Sequence, residues 1–89
     1  MTTIPPEKLF KFPCDHLFKV FGPNDGEFAE EVRSAVSGVT PVALDAMRLR
    51  PSAGGAHQCV SFLLHVYNYP QLLLIYSVLK QLPRLRYLL

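Results

Sequence analysis

Tryptophan is absent from this chain, cysteine occurs only twice, and acidic residues stop at Asp45 although the sequence continues to Leu89. No apolar run approaches the ~18 residues that a membrane span needs, and the first residues lack the basic-then-apolar order of a signal peptide. Disulfides are typical of secreted proteins, so two cysteines without a secretion signal predict free thiols. We therefore expect a cytoplasmic protein with no membrane segment.

The chain is also poor in polar residues for its size. At 89 residues it is one domain, and such a domain buries roughly 60 to 65% of the surface of its unfolded chain. Its composition is nevertheless 49% hydrophobic, with a mean hydropathy of +0.18. A small protein needs polar residues to cover its large surface fraction. Some apolar surface is therefore expected to remain for a partner.

The clearest pattern lies between His57 and Tyr67, after a turn at 52–55. Apolar residues alternate there with the period of a β-strand. One face of this strand is fully apolar, so it needs neighbours on both edges and a helix layer over that face. We therefore place it in the middle of a sheet, with its core side formed by Val60, Phe62, Leu64 and Val66.

Periodicity and turn residues define the remaining segments. An arm at 1–13 holds three prolines and is expected to lie along the domain without regular structure. Asn24 or Asp25 is expected to cap the first helix, and Asn68 precedes the second. The single domain, 14–89, is predicted to contain a strand at 14–22, a helix at 27–37, a weaker strand at 42–50, a helix at 71–82 and a strand at 84–89.

This βαββαβ order predicts the α+β class. With right-handed crossovers it gives a split β-α-β sandwich, in which an antiparallel sheet of strand order 4-1-3-2 carries two helices on one face. The first and third strands are then antiparallel, so Cys14 and Cys59 lie roughly 20 Å apart at ~3.3 Å per residue, beyond disulfide reach. One register stays open, because the second strand can face the core either with Val42, Leu44 and Ala46 or with Ala43, Met47 and Leu49.

The residues with chemical potential do not form an evident site. Cys14, His16 and His65 could be imagined as metal ligands, but strand alternation puts His16 and His65 on opposite faces of the sheet. The chain has no CxxC or HxxxH spacing, and Cys14 has only His16 as a nearby base. His57 is expected to be a solvated loop residue. We therefore expect no metal, no cofactor and no catalytic activity.

Three functions associated with this element order also lack their residues. RNA-recognition domains present aromatic residues on the third strand, where the outward side chains here are Cys59, Ser61, Leu63 and His65. The loop at 22–26 lacks the CxxC of a copper chaperone and the phosphate-binding arginine of an acylphosphatase. Arginines flank both edge strands, as expected for protection against sheet extension. Nucleic-acid binding is therefore disfavoured.

Apolar side chains without an obvious cover are the most informative feature. If half of roughly 400 to 600 Å² of such surface stayed wet, the forgone burial would be about 5 to 8 kcal/mol, comparable to the stability of a small domain. Patches of this size mark interfaces. We predict a homodimer or another protein partner, contacted through Leu17, Phe21, Leu63 and Leu88 on the open sheet face and through Leu73, Leu74 and Val78 on the second helix.

Short motifs support a resemblance over nearly the whole chain, from about Leu9 to the last residue. They are Phe12-Pro13-Cys14, Phe18 to Gly22, Arg50-Pro51-Ser52 with Gly55, Val60-Ser61, and Tyr76 to Leu79. With these motifs the chain resembles the YbeD-like family of small bacterial proteins of unknown function. The resemblance implies a ferredoxin-like fold similar to ACT regulatory domains and a regulatory or ligand-sensing role, with no catalytic residues.

The chain departs from that family where its members are polar, at Leu73, Leu74 and Val78. His57 and Ala56 also replace the usual residues before the central strand. These departures favour a non-enzymatic regulatory or protein-interaction module that acts as a dimer, because apolar groups on an outer helix face are costly unless covered. The alternative is an ACT-like sensor that binds an amino acid or a carboxylate at Gly22, Asn24, Asp25 and Gly26.

Overall fold

The computed structural model describes residues 11–89, and all but the last residues of the predicted arm lie outside that range. The order βαββαβ is confirmed, and with it the ferredoxin-like α+β fold. A 3-10 turn, Leu44–Ala46, precedes the second strand. The elements are β1 (Cys14–Pro23), α1 (Phe28–Ser37), β2 (Arg48–Pro51), β3 (His57–Val66), α2 (Tyr69–Lys80) and β4 (Tyr87–Leu88).

The sheet has the order β2-β3-β1-β4, which is the predicted 4-1-3-2 counted from the other edge. β3 is interior, as its one apolar face required. It pairs antiparallel with β1 along its length, from Val66 opposite Cys14 to His57 opposite Pro23. Cys59 lies opposite Phe21, seven positions along β1 from Cys14, and both thiols are free.

Both helices cover the same side of this sheet. The inward side chains of β1 and β3 form one buried cluster with a single stripe from each helix. Full burial of a side chain such as Ile75 or Phe62 stabilises the fold by about 1.5–3 kcal/mol. The helix residues of the cluster are Phe28, Ala29, Val32 and Val36 from α1 and Leu72, Ile75 and Leu79 from α2.

The predicted second strand is wrong in its first half. Only Arg48–Pro51 pairs with β3, and Leu44–Ala46 form a 3-10 turn instead. Val42 and Met47 are both buried, one from each of the two alternative registers. Residues five apart face opposite sides of a strand, so the turn between them is what lets both reach the core. β2 therefore covers only part of β3.

The prediction that Leu88 lies on the open face is wrong, so the side chains of the last strand alternate in the opposite phase. Leu88 lies opposite the buried Val20 and packs against the core, so it belongs to the helix side of the sheet and not to the open face. Tyr87 takes the open position, opposite Phe21. Pairing with β1 sets this phase: Leu89 N–H donates to the Lys19 carbonyl at 2.9 Å, and Lys19 N–H to the Leu89 carbonyl at 3.2 Å.

Candidate functional site

The side of the sheet away from the helices is the candidate site, and we call it the open face. At its middle Leu17 lies directly opposite Leu63, and these side chains are 50% and 58% exposed. The face is formed by Asp15, Leu17, Lys19 and Phe21 from β1, Cys59, Ser61, Leu63 and His65 from β3, Arg48 and Arg50 from β2, and Tyr87 from β4.

Two shallow hollows lie along this face beside β2. The first has a volume of about 450 Å³ and is lined by Leu17 and Leu63 together with Ala46, Arg48 and Ser61. It exists because the pairing of β2 begins only at Arg48, opposite Ser61, so that β3 continues beyond the end of β2. The early 3-10 turn, which the sequence did not predict, thus creates a concave surface.

The second hollow lies farther along the same strand and measures about 330 Å³. Phe21, Arg50 and Cys59 contribute to its lining, with the turn after β2. Burial raises the pKa of the Cys59 thiol, an effect that the nearby Lys19 and Arg50 charges oppose. A thiol with a raised pKa stays protonated at neutral pH and is a poor nucleophile.

Aromatic residues occupy the β4 end of the open face. The Phe21 and Tyr87 rings meet edge to face, with centroids 5.9 Å apart and planes 63° from parallel. Tyr87 is 60% exposed and was missed as a surface candidate, because the predicted phase of the last strand pointed it inward. The sequence could have indicated the correct phase, because pairing Val20 with Leu88 lets both apolar side chains face the core.

The turn predicted to bind a small ligand is already filled by the protein's own groups. Asn24 donates its side-chain amide to the Gly55 carbonyl at 2.9 Å and its backbone N–H to the Ala56 carbonyl at 3.1 Å. The Asp25 carboxylate accepts the N–H groups of Glu27 and Phe28 at 3.0 and 2.9 Å. An anionic ligand at this helix start would have to displace that carboxylate.

Arg84 forms ion pairs with two distant acidic residues, and the sequence did not predict these contacts. Its guanidinium pairs with Asp25 and with Glu31, the latter through an Nε–Oε2 hydrogen bond of 3.0 Å. The hydrogen bond from Arg84, followed by those from the two backbone N–H groups, lowers the pKa of Asp25 to about 2. These contacts tie the segment before β4 to the start of α1. The turn at 22–26 therefore has a structural role, because its residues hold the start of α1 against the segment before β4.

The two strand histidines lie on opposite faces of the sheet, as alternation predicted. His16 Nε2 is 2.9 Å from the Tyr76 hydroxyl on the helix side, and burial lowers its pKa. His65 Nδ1 is 2.9 Å from an Asp15 carboxylate oxygen on the open face. Within residues 11–89 no three histidine, cysteine or acidic side chains come together in a way that could hold a metal ion.

A second exposed apolar surface lies on α2. Leu73 and Leu74 are 50% and 51% exposed, and Val78 is partly buried. Lys80 is the only charged residue of this helix. No helix between residues 11 and 89 is long and apolar enough to cross a lipid bilayer.

Fold and surface together define a small ferredoxin-like α+β domain with two exposed leucine-containing surfaces. The chain belongs to the family described as protein of unknown function (DUF493), whose model matches residues 7–89. This assignment agrees with the resemblance to the YbeD-like proteins, which are likewise of unknown function. No curated protein and no solved structure matches the chain.

Proposed function

We propose that this chain is a non-enzymatic regulatory or protein-interaction module that acts by binding other polypeptides through its exposed apolar surfaces, including a second copy of itself. The observation that carries the proposal is the exposure of adjacent leucines at two places. Leu17 and Leu63 lie together on the open face, and Leu73 and Leu74 lie side by side on α2. Covering such side chains is worth about 25 cal/mol per Å² of apolar area removed from water.

The α2 surface is the better candidate for self-association. Its leucines are followed one turn later by the partly buried Val78, so one stripe of the helix is apolar. Lys80 at the helix end is its only charge, so two copies can approach there with little repulsion between like charges. Closed two-fold contacts of this kind use the same patch on both subunits.

Sedimentation velocity over a range of concentrations tests the proposal. We expect reversible dimerisation at micromolar concentration. We also expect Leu74→Gln to weaken it by about tenfold, which corresponds to about 1.4 kcal/mol. Leu63→Gln is the matched control, since that leucine is similarly exposed, 58% against 51% for Leu74, but lies on the open face. A wild-type protein that stays monomeric at high micromolar concentration and also binds no hydrophobic dye would overturn the proposal.

A sensor of amino acids or carboxylates has less support. The groups at 22–26 that would hold such a ligand are engaged with Gly55, Ala56, Glu27, Phe28 and Arg84. A thermal-shift screen separates the two functions, because a ligand that binds only the folded state raises the melting temperature. We expect no such rise with free amino acids or small carboxylates.

A further inference from the structure

The open face combines an apolar centre with positive charge. Each of its two hollows contains one apolar side chain from β1 and one arginine from β2: Leu17 with Arg48 in the first, and Phe21 with Arg50 in the second. The arginines are two positions apart on one strand and project from the same face, about 7 Å from each other. Lys19, opposite Ser61, adds a third base between the hollows.

Among the described residues that form this face, one carries a carboxylate. That carboxylate, Asp15, contacts His65 at the far end of β3. Of the remaining acids within the described part of the chain, Asp45 lies in the 3-10 turn before β2 and the others lie at the start of α1, in the opposite layer: Asp25, Glu27, Glu30 and Glu31. The open face therefore has an excess of positive charge.

This charge pattern argues against a second copy as the occupant. Packing two open faces together would bring Lys19, Arg48 and Arg50 of one copy near those of the other, and juxtaposed like charges are costly in an interface. Residues 1–10 are also poorly suited, because they contain one acid, Glu7, and one base, Lys8. Because the open face is positively charged, its best-matched ligand is one that carries carboxylates.

The side chains of the open face favour a polypeptide over a nucleic acid as the ligand. Single-stranded nucleic acids bind to aromatic side chains on which successive bases stack. Here the rings meet edge to face in two separate pairs, Phe21 with Tyr87 at one end and His65 with Tyr67 at the other. The middle of the face is formed by Leu17 and Leu63. Leucines flanked by arginines match apolar side chains flanked by carboxylates, since arginine binds a carboxylate through two parallel hydrogen bonds.

We propose that the open face binds an acidic segment of a partner protein, with apolar side chains of that segment in the two hollows and its carboxylates on Arg48 and Arg50. This inference rests on the proposed binding function and specifies the chemistry of the partner. It leaves the α2 surface free for self-association.

Selection from a random dodecapeptide display library against the full-length protein tests the inference. We expect enriched peptides to contain several Asp or Glu residues next to apolar residues. One such peptide, labelled and measured by fluorescence anisotropy, should lose about tenfold in affinity with Arg48→Glu and again with Arg50→Glu. Lys80→Glu makes the same charge change at the end of α2 and should leave the affinity unchanged. Leu63→Gln should weaken binding and Leu74→Gln should not.

Several results would overturn the inference. These are the failure to enrich any peptide, enrichment of peptides without acidic residues, equal losses with Arg48→Glu and Lys80→Glu, and tighter binding of an oligouridine than of the best peptide. Circular dichroism on each variant excludes unfolding as the cause of a loss. Dimerisation measured by sedimentation on the same samples keeps the two proposals separate: peptide binding that fails while dimerisation persists refutes only the assignment of the open face.

Discussion

The Phe28 ring occupies the space next to Gly22 in which any other residue would place its side chain. A Cβ atom built on Gly22 would lie 2.2 Å from Cζ of Phe28 and within 2.5 Å of both neighbouring ring carbons. Phe28 is fully buried at the start of α1, where it joins the helix to the sheet. Gly22, which the sequence suggested as a ligand-binding residue, thus has a packing role that requires the smallest residue.

Gly22→Ala should therefore destabilise the protein by about 1–3 kcal/mol, the usual cost of inserting atoms into a packed core. Urea unfolding followed by circular dichroism measures this loss. Gly26→Ala is the control, because a Cβ at Gly26 meets no atom within 4 Å. Combining Gly22→Ala with Phe28→Leu should cost less than the sum of the two single changes, since they share one contact. Simple additivity would contradict the packing explanation.

The sequence predicted the fold well where one strong pattern was sufficient. Alternation in β3, from Val60 to Val66, indicated both a strand and its interior place in the sheet, because an apolar face of that length has to be covered. The helical spacing of apolar residues was equally clear, and the residues that this spacing puts on one side of α2, Leu72, Ile75 and Leu79, are buried. In these elements local periodicity and tertiary burial point to the same structure.

Prediction failed where contacts distant in sequence decide the local structure. The phase of β4 depends on pairing Leu88 with Val20. The extent of β2 depends on how Val42 and Met47 both reach the core. Arg84 contacts Asp25, which lies 59 positions earlier in the sequence, and no short motif predicts that pair. The shape of the open face follows from the first two of these features, so its hollows could not be predicted although most of its residues were.

Asp25 should make the stability of the protein depend on pH in the acid range. Its pKa in the folded state is about 2, below the ordinary value of 3.8, chiefly because Arg84 donates hydrogen bonds to the carboxylate. The unfolded chain therefore binds this proton more readily. The contribution to stability is complete above about pH 4 and is lost as the pH falls through about 2.

Asp25→Asn tests this assignment. Its free energy of unfolding should be lower than that of the wild type at neutral pH and should fall less steeply between pH 4 and 2. Arg84→Met should likewise flatten the profile by raising the pKa of Asp25 towards its ordinary value. A wild-type slope in Asp25→Asn would show that other carboxyl groups are responsible.

Asn68 caps α2 and should contribute measurably to its stability. Its side-chain oxygen accepts the N–H of Gln71 at 2.9 Å, and the Gln71 side chain accepts the N–H of Tyr67 at 2.7 Å. Asn68→Ala should cost about 0.5–2 kcal/mol in urea unfolding, as other lost caps do. Asn68→Asp keeps an acceptor oxygen and should retain most of the stability. Equal losses in the two variants would exclude capping as the cause.

His16 should give the protein a second pH dependence, below neutrality. Burial lowers its pKa from the ordinary 6.5, so the folded state favours the neutral imidazole beside the Tyr76 hydroxyl. The unfolded chain takes up the proton first, and stability therefore falls as the pH drops from about 6.5 towards the lowered pKa. His16→Gln keeps a polar group near Tyr76 without titrating and should remove this part of the slope.

A further variant distinguishes the cause of the His16 effect. Tyr76→Phe removes the hydroxyl but leaves the ring that covers the imidazole, so the slope should persist if burial is the main cause. NMR titration of the His16 ring protons measures the pKa directly. A value at or above 6.5 would refute the burial argument, because desolvation makes an imidazole hold its proton less tightly.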